Sequence, residues 1–407
     1  MDQVVITGIG VIASIGNDRH TFVDALDRGV IGTAPAPWWD DDIGHNSWVS
    51  PVTGFDPADH MDSRVQDGSA RFTHLALAAA AEAIADHGAD LDPLATGVVL
   101  GVSMAGAREL LEAQHALDTA GPGAVPKKLN IQVWANMAGG QIAMRYGLHG
   151  PLLTVATACA SSLDALGLAA RSIEAGDADV MLAGGTESGL AAALFYSQRG
   201  YGMSGGTIDD PRRAMTPFDV DRKGIVEGEG SAVLVLERRS RAEARGAHIY
   251  GALRGYGCVS DAFHPSSPQP EGEWEELAMR KALRNAGLDF SAVDAVIAHG
   301  TGTPVGDAAE IKALNRMLDE RDRPLYVTSI KGHTGHTGAA AGVMAVVAAL
   351  HGFEHQRVVH TAGTEQLDPE IRFEVPLHRP IDAPLDVIQV NGFGFGGQDS
   401  SVVLTRA

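Results

Sequence analysis

The 407 residues are 45% hydrophobic and 20% charged, with 49 glycines and only 5% aromatic residues. This composition argues against a disordered or fibrous chain and favours a tightly packed α/β enzyme of one large or two medium domains. The 31 basic residues set against 51 acidic ones give a net charge of −20, which repels nucleic-acid phosphates and an anionic membrane surface, so an acidic partner must dock on a local basic patch.

Two cysteines, Cys159 and Cys258, are too few for a disulfide framework and form no C-x-x-C zinc spacing, which fits a reducing compartment. The opening Met1-Asp-Gln-Val-Val-Ile enters a strand-like run without the basic region of a signal peptide. The longest weakly polar stretch, 337–350, falls short of the roughly 20 residues that span a bilayer. A soluble, cytoplasmic protein is expected.

Val4-Val-Ile-Thr-Gly-Ile-Gly reads as the first buried strand. Residues 35–56, with Trp38, Trp39 and Trp48, lack periodicity and read as a surface excursion without assigned function. A helix is expected over 75–87, a strand at Val98-Val-Leu-Gly-Val-Ser, and an apolar strand from Leu152 that turns through small residues into a helix over 163–175, closed by Gly176. Strands follow at Val180-Met-Leu-Ala-Gly-Gly and Val233-Leu-Val-Leu, and Arg238-Arg-Ser-Arg reads as a solvated turn and helix start. Beyond residue 250 a second set appears, with helices over 274–286 and 339–351. Its strands are Ala295-Val-Ile-Ala-His-Gly, Tyr326-Val-Thr-Ser-Ile-Lys, Val387-Ile-Gln-Val-Asn-Gly and Val402-Val-Leu-Thr. The alternation implies sheets covered by helices on both faces, in two similar halves, 1–250 and 251–407, packed as one unit.

Four segments carry chemistry. The strand-to-helix turn places Cys159 near a helix N-terminus, where unpaired N–H groups and the dipole favour a thiolate. Alone, a cysteine among apolar residues is more often a packing residue. In Val296-Ile-Ala-His299-Gly-Thr-Gly-Thr-Pro a strand delivers a histidine into a Gly/Thr loop, where Gly300 and Gly302 leave room beside the ring. Ser329-Ile-Lys331-Gly-His333-Thr-Gly-His336 brings two histidines and a lysine into one loop; the i, i+3 histidines lack a carboxylate or cysteine at ligand spacing, so no metal is expected. Asn391-Gly-Phe393-Gly-Phe395-Gly-Gly lacks the Lys-Ser/Thr of a phosphate cradle and better suits a backbone N–H donor beside a hydrophobic gate.

T-A-C-A-S-S, H-G-T-G-T-P, K-x-x-x-x-H followed by T-G-A-A-A-G, and N-G-F-G-F-G-G, in this order and spacing, resemble the β-ketoacyl-(acyl carrier protein) synthase family. Further matches extend over nearly the whole chain: V-V-I-T-G-I-G-V at the start, N-M-A-G-G at 136–140, Y-G-L-H-G-P at 146–151, A-G-G-T-E at 183–187 and P-F-D-V-D-R-K-G-I-V-E-G-E-G at 217–230. The resemblance implies a thiolase-like fold of two duplicated α/β halves in five layers, α-β-α-β-α, within a dimer. It implies that Cys159 takes an acyl group from a carrier-protein phosphopantetheine thioester. The N–H groups of Cys159 and Phe395 would hold the carbonyl oxygen, with Phe393 and Phe395 as the gate, and Thr301 and Thr303 would contact substrate. His299 and His336 would hold the malonyl thioester carbonyl, with Lys331 and Glu310 orienting His336 and the loop electrostatically rather than reacting. Lys331 and Glu310 equally suit a structural ion pair.

The implied reaction is decarboxylative Claisen condensation of the Cys-bound acyl chain with malonyl-carrier protein to β-ketoacyl-carrier protein, in type II polyketide or specialised fatty-acid biosynthesis. No intrinsic cofactor is implied, because the carrier supplies the phosphopantetheine arm. The implied partners are acyl carrier protein and a second subunit, identical or of the chain-length type. Lys127, Lys128, Arg199, Arg212 and Arg213 are the candidate cations for carrier docking. An acyltransferase that skips condensation and a non-catalytic partner subunit are the alternatives; the retained cysteine and both histidines speak against the second. The second, C-terminal cysteine of degradative thiolases is missing, since Cys258 lies mid-chain. Two departures from the family pattern are Gln398-Asp399, where Thr-Asn or a similar pair is usual, and the Gly-rich 202–210 loop, where an arginine-containing loop is usual.

Overall fold

The computed structural model describes residues 2–36, 47–205 and 209–407. Trp38 and Trp39 of the expected surface excursion, and 206–208 of the glycine-rich loop, lie outside them.

The first half contributes strands β1 (Val4–Ala13), β2 (Thr96–Gly101), β3 (Leu152–Val155), β4 (Val180–Glu187) and β5 (Gly230–Arg238). The second contributes β6 (Gly251–Ser260), β7 (Ala295–Ile297), β8 (Tyr326–Thr328), β9 (Val387–Gly394) and β10 (Gln398–Thr405). They join in one 10-stranded sheet, ordered β8-β7-β9-β10-β6-β1-β5-β4-β2-β3. Each half therefore places its own strands in the order third, second, fourth, fifth, first. In each half the second strand runs parallel to the third and fourth, while the fifth is antiparallel to the fourth and first. The halves meet where Val4 to Ile6 of β1 pair with Gly251 to Leu253 of β6.

Six helices complete the layers: α1 (Arg71–His87), α2 (Met137–Tyr146), α3 (Ser161–Ala175), α4 (Glu273–Ala286), α5 (Pro304–Leu318) and α6 (Ala341–His355). Helices α1 and α2 cover the outer face of the first half, and α4 and α5 that of the second. Helices α3 and α6 touch strands of both halves and fill the middle, giving the α-β-α-β-α order of the thiolase fold. Residues 341–353 of α6 are all buried, as a helix apolar on every side requires when it lies between the two halves of the sheet.

Duplication is visible in the packing as well as in the strand order. A Cβ on Gly8 or Gly10 of β1 would meet the carbonyl oxygens of Ala83 and Ala79 at 2.3 and 1.9 Å; one on Gly255 or Gly257 of β6 would meet those of Ala282 and Ala278 at 2.1 and 2.4 Å. In both halves the glycine pair lets an alanine-faced helix lie directly on strand backbone.

Edge strand β3 departs from the buried pattern. Leu152 and Leu153 are 46% and 48% exposed, because among the described residues β3 pairs with a neighbour on one side only. Among the described residues no helix is long and apolar enough to cross a membrane.

Candidate active site

Strand β3 ends in a turn that presents Cys159 just before α3. Ala158 in that turn has φ +49°, a left-handed conformation that costs an L-residue about 1–2 kcal/mol. Side chains hold it there: Ser161 Oγ accepts from Thr157 N–H at 2.9 Å and donates to the Ala158 carbonyl at 2.6 Å. Thr157 Oγ1 donates to Asp164 at 2.5 Å, and Asp164 also accepts from the hydroxyls of Tyr256, at 2.8 Å, and Ser400. The expected thiolate is not the resting form. Burial pushes the Cys159 thiol up to about 11, against the opposing pull of Lys331 and of the N–H groups of Phe395 and Cys159 at the sulfur. Desolvation outweighs the helix end.

His336 lies beside that sulfur, with Nε2 3.0 Å from Sγ. Gly338 N–H donates to its Nδ1 at 3.3 Å, which assigns the ring proton to Nε2. The His299 ring stands edge-on to His336, centroids 5.5 Å apart, and Lys331 Nζ faces its Nδ1 at 3.5 Å, assigning that proton to Nε2 as well. One nitrogen from each ring and the sulfur lie within 4.8 Å of one another. Burial, then the Lys331 charge, lowers His336 to about 3; burial, Lys331 and His336 hold His299 well below the ordinary histidine range. Both rings are neutral donors at working pH.

Lys331 makes its direct contacts with His299. Its ammonium contacts Nδ1 and the backbone carbonyl of His299, not His336, which it reaches only through its field. Burial lowers it to about 8. Glu310 on α5 accepts from the backbone N–H of His299 at 2.9 Å, from Gly300 at 2.8 Å and from Asn391 at 3.1 Å, so it too fixes the His299 loop. Asp307, one turn earlier, accepts from Gly302 N–H at 3.0 Å and Phe218 N–H at 2.7 Å. Thr303 caps α5 by accepting from Gly306 N–H at 3.2 Å, and its hydroxyl meets that of Thr301 at 2.9 Å. His333 points elsewhere, to the carbonyls of Val30 and His360 at 2.9 Å each.

Phe393 is buried against His299, while Phe395 is exposed. Between them, a Cβ on Gly394 would meet the Thr157 carbonyl oxygen at 2.6 Å; the bare glycine is what brings Phe395 N–H up to the sulfur. Two cavities meet here. One, of about 310 Å³, is lined by Cys159, both histidines, Thr301, Thr303 and Phe393. The other, of about 480 Å³, extends past His336 and Phe395 to Met104, Leu190 and Leu194. Asp399 is buried at the first cavity beside Asp261 and Glu275, and burial followed by the charge of Asp261 raises it to about 7. The glycine loop is tied down by backbone bonds, Gly396 N–H to the Pro265 carbonyl and Asp261 N–H to the Gly397 carbonyl, both 2.8 Å.

The profile of the beta-ketoacyl synthase N-terminal domain matches residues 1–242, and that of its C-terminal domain matches 250–365. The chain belongs to the β-ketoacyl synthase family. Within that family, 3-oxoacyl-[acyl-carrier-protein] synthase 2 of Staphylococcus aureus (strain COL) is 34% identical over 411 residues, covering 99% of this chain and 98% of its own. Among solved structures, the ishigamide ketosynthase/chain length factor superposes with a TM-score of 0.93 at 30% identity, covering 100% of this chain and 99% of that one. A type II polyketide acyl-carrier protein in complex with its ketosynthase bound to the hexaketide gives 0.92 at 28% identity, covering 100% of both chains.

Of the cations expected to face a carrier in this β-ketoacyl synthase, Lys127 and Lys128 are exposed. Arg212 is on the surface, paired with Asp210 at 3.1 Å, and Arg199 is partly buried. Arg213 is turned inward: it donates to Asp219 at 2.9 Å and to the Gly363 carbonyl at 2.8 Å, so its charge serves the fold. Sequence reasoning missed Asp164, Asp307, Asn391, Glu187 and Glu227. Each stands inside or beside a segment read for another purpose; for the four acids, a carboxyl among small apolar residues is the available signal.

Proposed function

We propose that the protein is a β-ketoacyl-(acyl carrier protein) synthase: it condenses a Cys159-bound acyl chain with malonyl-carrier protein, releasing carbon dioxide and β-ketoacyl-carrier protein. In this reading residues 1–250 supply the nucleophile and 251–407 both histidines. Carrying the reading is the meeting of Cys159 Sγ, with two backbone N–H groups upon it, and two imidazoles whose Nε2–H groups are turned to the same space.

In the first half-reaction Cys159 attacks the thioester of the carrier's phosphopantetheine arm, which Thr301 and Thr303 would contact in the cavity. The N–H groups of Cys159 and Phe395 hold the tetrahedral oxyanion, and the thiol's proton ends on the departing pantetheine sulfur. The malonyl thioester then enters. Its carbonyl accepts from Nε2–H of His299 and His336, which stabilise the enolate as carbon dioxide leaves. The enolate carbon attacks the acyl-Cys159 carbonyl, the carbon–sulfur bond breaks, and the released thiolate takes a proton from solvent. Lys331 and Glu310 act as positioning residues, holding the His299 tautomer and loop. Neutral histidines suit a step in which negative charge appears transiently and must be released again.

The open apolar edge of β3 supports assembly with a second ketosynthase-type chain, identical or of the chain-length type, and the exposed Lys127–Lys128 pair supports docking of an acidic carrier in the cytoplasm. The superpositions on a ketosynthase/chain length factor and on a type II polyketide ketosynthase, with the 3-oxoacyl-[acyl-carrier-protein] synthase relative, support type II polyketide or specialised fatty-acid biosynthesis as the setting. Incubation with acyl-carrier protein followed by intact mass tests the nucleophile: an acyl adduct on Cys159 is expected, and its absence removes the proposal. Acyl transfer without later chain extension would favour the plain acyltransferase.

A further inference from the structure

The larger cavity beside the nucleophile is apolar over Met104, Leu190, Leu194 and Met203, yet two carboxyl groups, Glu187 and Glu227, open onto it. They differ in kind. Glu187 is bonded to the scaffold: its oxygens accept from Met104 N–H at 3.0 Å and Ala339 N–H at 3.3 Å. Among the described residues Glu227 has no such anchor, and its Oε2 is buried without a hydrogen-bond partner there.

Its position is set by backbone pairing. His336 N–H donates to the Val226 carbonyl at 2.7 Å, and Gly228 N–H donates to the His336 carbonyl at 3.0 Å, so Glu227 runs alongside His336 as a parallel bridge. His336 in turn lies 3.0 Å from the sulfur. The unanchored carboxyl therefore stands at the thioester end of the cavity, not at its far wall. Among the described residues no lysine or arginine lines this cavity to neutralise it, and Glu187 adds a second acid beside it. Burial, with Glu187 nearby, raises Glu227 to about 7, so the group ionises near neutrality. A plain alkyl chain in this space must cover a carboxyl oxygen that has lost water and gained nothing.

We infer that Glu227 makes the enzyme select acyl chains that carry a hydrogen-bond donor, a hydroxyl or a protonated amine, within the first few carbons of the thioester. The inference rests on the proposed loading of Cys159. A matched donor satisfies the orphaned oxygen, whereas an unmatched alkyl chain leaves it unsatisfied, a difference of about ten- to a hundredfold in loading.

Three carrier-protein thioesters of equal length decide it: hexanoyl, 3-hydroxyhexanoyl and 3-aminohexanoyl. Initial rates of Cys159 acylation are read by intact mass for the native enzyme, Glu227→Gln and Glu227→Met. The native enzyme is expected to load at least one donor-bearing chain about tenfold or more faster than hexanoyl. Glu227→Met should reverse the order in favour of hexanoyl. Glu227→Gln, which keeps an acceptor oxygen but no charge, should retain a hydroxyl preference and lose an amine preference, and so separates the two donors. Equal or faster loading of hexanoyl by the native enzyme overturns the inference, as does a uniform slowing of all three chains in Glu227→Met. Loading of no chain by any form would instead remove the proposed function, and this inference with it.

Discussion

Gly394→Ala tests the oxyanion site without touching a reacting side chain. The new methyl would lie 2.6 Å from the Thr157 carbonyl oxygen and 3.3 Å from both Ala158 Cβ and Cys159 N. To restore ordinary contact the loop must retreat by roughly 0.5–1 Å, enough to carry Phe395 N–H from about 2.9 Å to the limit of hydrogen bonding. Loss of one of two oxyanion donors costs about 10²–10³ in rate, or about 2.7–4 kcal/mol. Acylation of Cys159 and attack of the enolate both pass through a tetrahedral oxyanion on the acyl carbon, so both should slow by a similar factor. Enolate formation relies on the histidines and should not slow with them. Rapid-quench intact mass measures acylation, and carbon dioxide release measures decarboxylation. A folded Gly394→Ala enzyme that acylates within about threefold of the native rate would refute the placement of Phe395 N–H in the oxyanion site.

Cys159→Ala should form no acyl adduct yet still release carbon dioxide from malonyl-carrier protein, because the two imidazole donors remain; loss of both activities would assign the thiol a part in decarboxylation. With His336 lowered to about 3 and Lys331 to about 8, the histidines and the lysine should contribute no inflection in condensation from about pH 5.5 to 7.5 and a fall above about 8, as the ammonium that holds the His299 tautomer is lost. An inflection near 6.5 that vanishes in His336→Asn would contradict neutral donors. Glu275 is buried with one oxygen unpartnered among the described residues, and burial, followed by nearby carboxylates, raises it well above its ordinary 4.5. The folded state therefore keeps a proton that the unfolded state sheds, and stability falls as pH rises above about 4.5. Glu275→Met should raise Tm at about pH 8 and leave it nearly unchanged at about pH 4.5; an equal shift at both would point to packing alone.

Buried strands and the chemistry-bearing turns were legible because both depend on local pattern. A β-branched run that stops in glycines marks the strand end where Cys159, His299 or the Phe395 loop must emerge, and the two sets of strands announce the duplication. What local pattern does not encode is which neighbour each group meets. Lys331 precedes His336 in the same loop, yet its side chain crosses to His299, which arrives from β7. The helix end beside Cys159 argues for a thiolate, but burial by α6 and the glycine loop decides the thiol's state. Nor does the apolarity of Leu152 and Leu153 tell a central strand from an open edge. Glu227 sits within a segment quoted for its resemblance, and only the fold brings it alongside His336.

The central claim is that Cys159, His299 and His336 together form a carbon–carbon bond. It is tested most directly by supplying acyl-loaded enzyme with malonyl-carrier protein and following carbon dioxide, the carrier-bound product and the Cys159 adduct in one time course. One carbon dioxide per product, a β-ketoacyl chain two carbons longer on the carrier, and loss of the Cys159 adduct at the same rate are expected. Carbon dioxide released while the acyl group stays on Cys159, or returns to a carrier unextended, would contradict it.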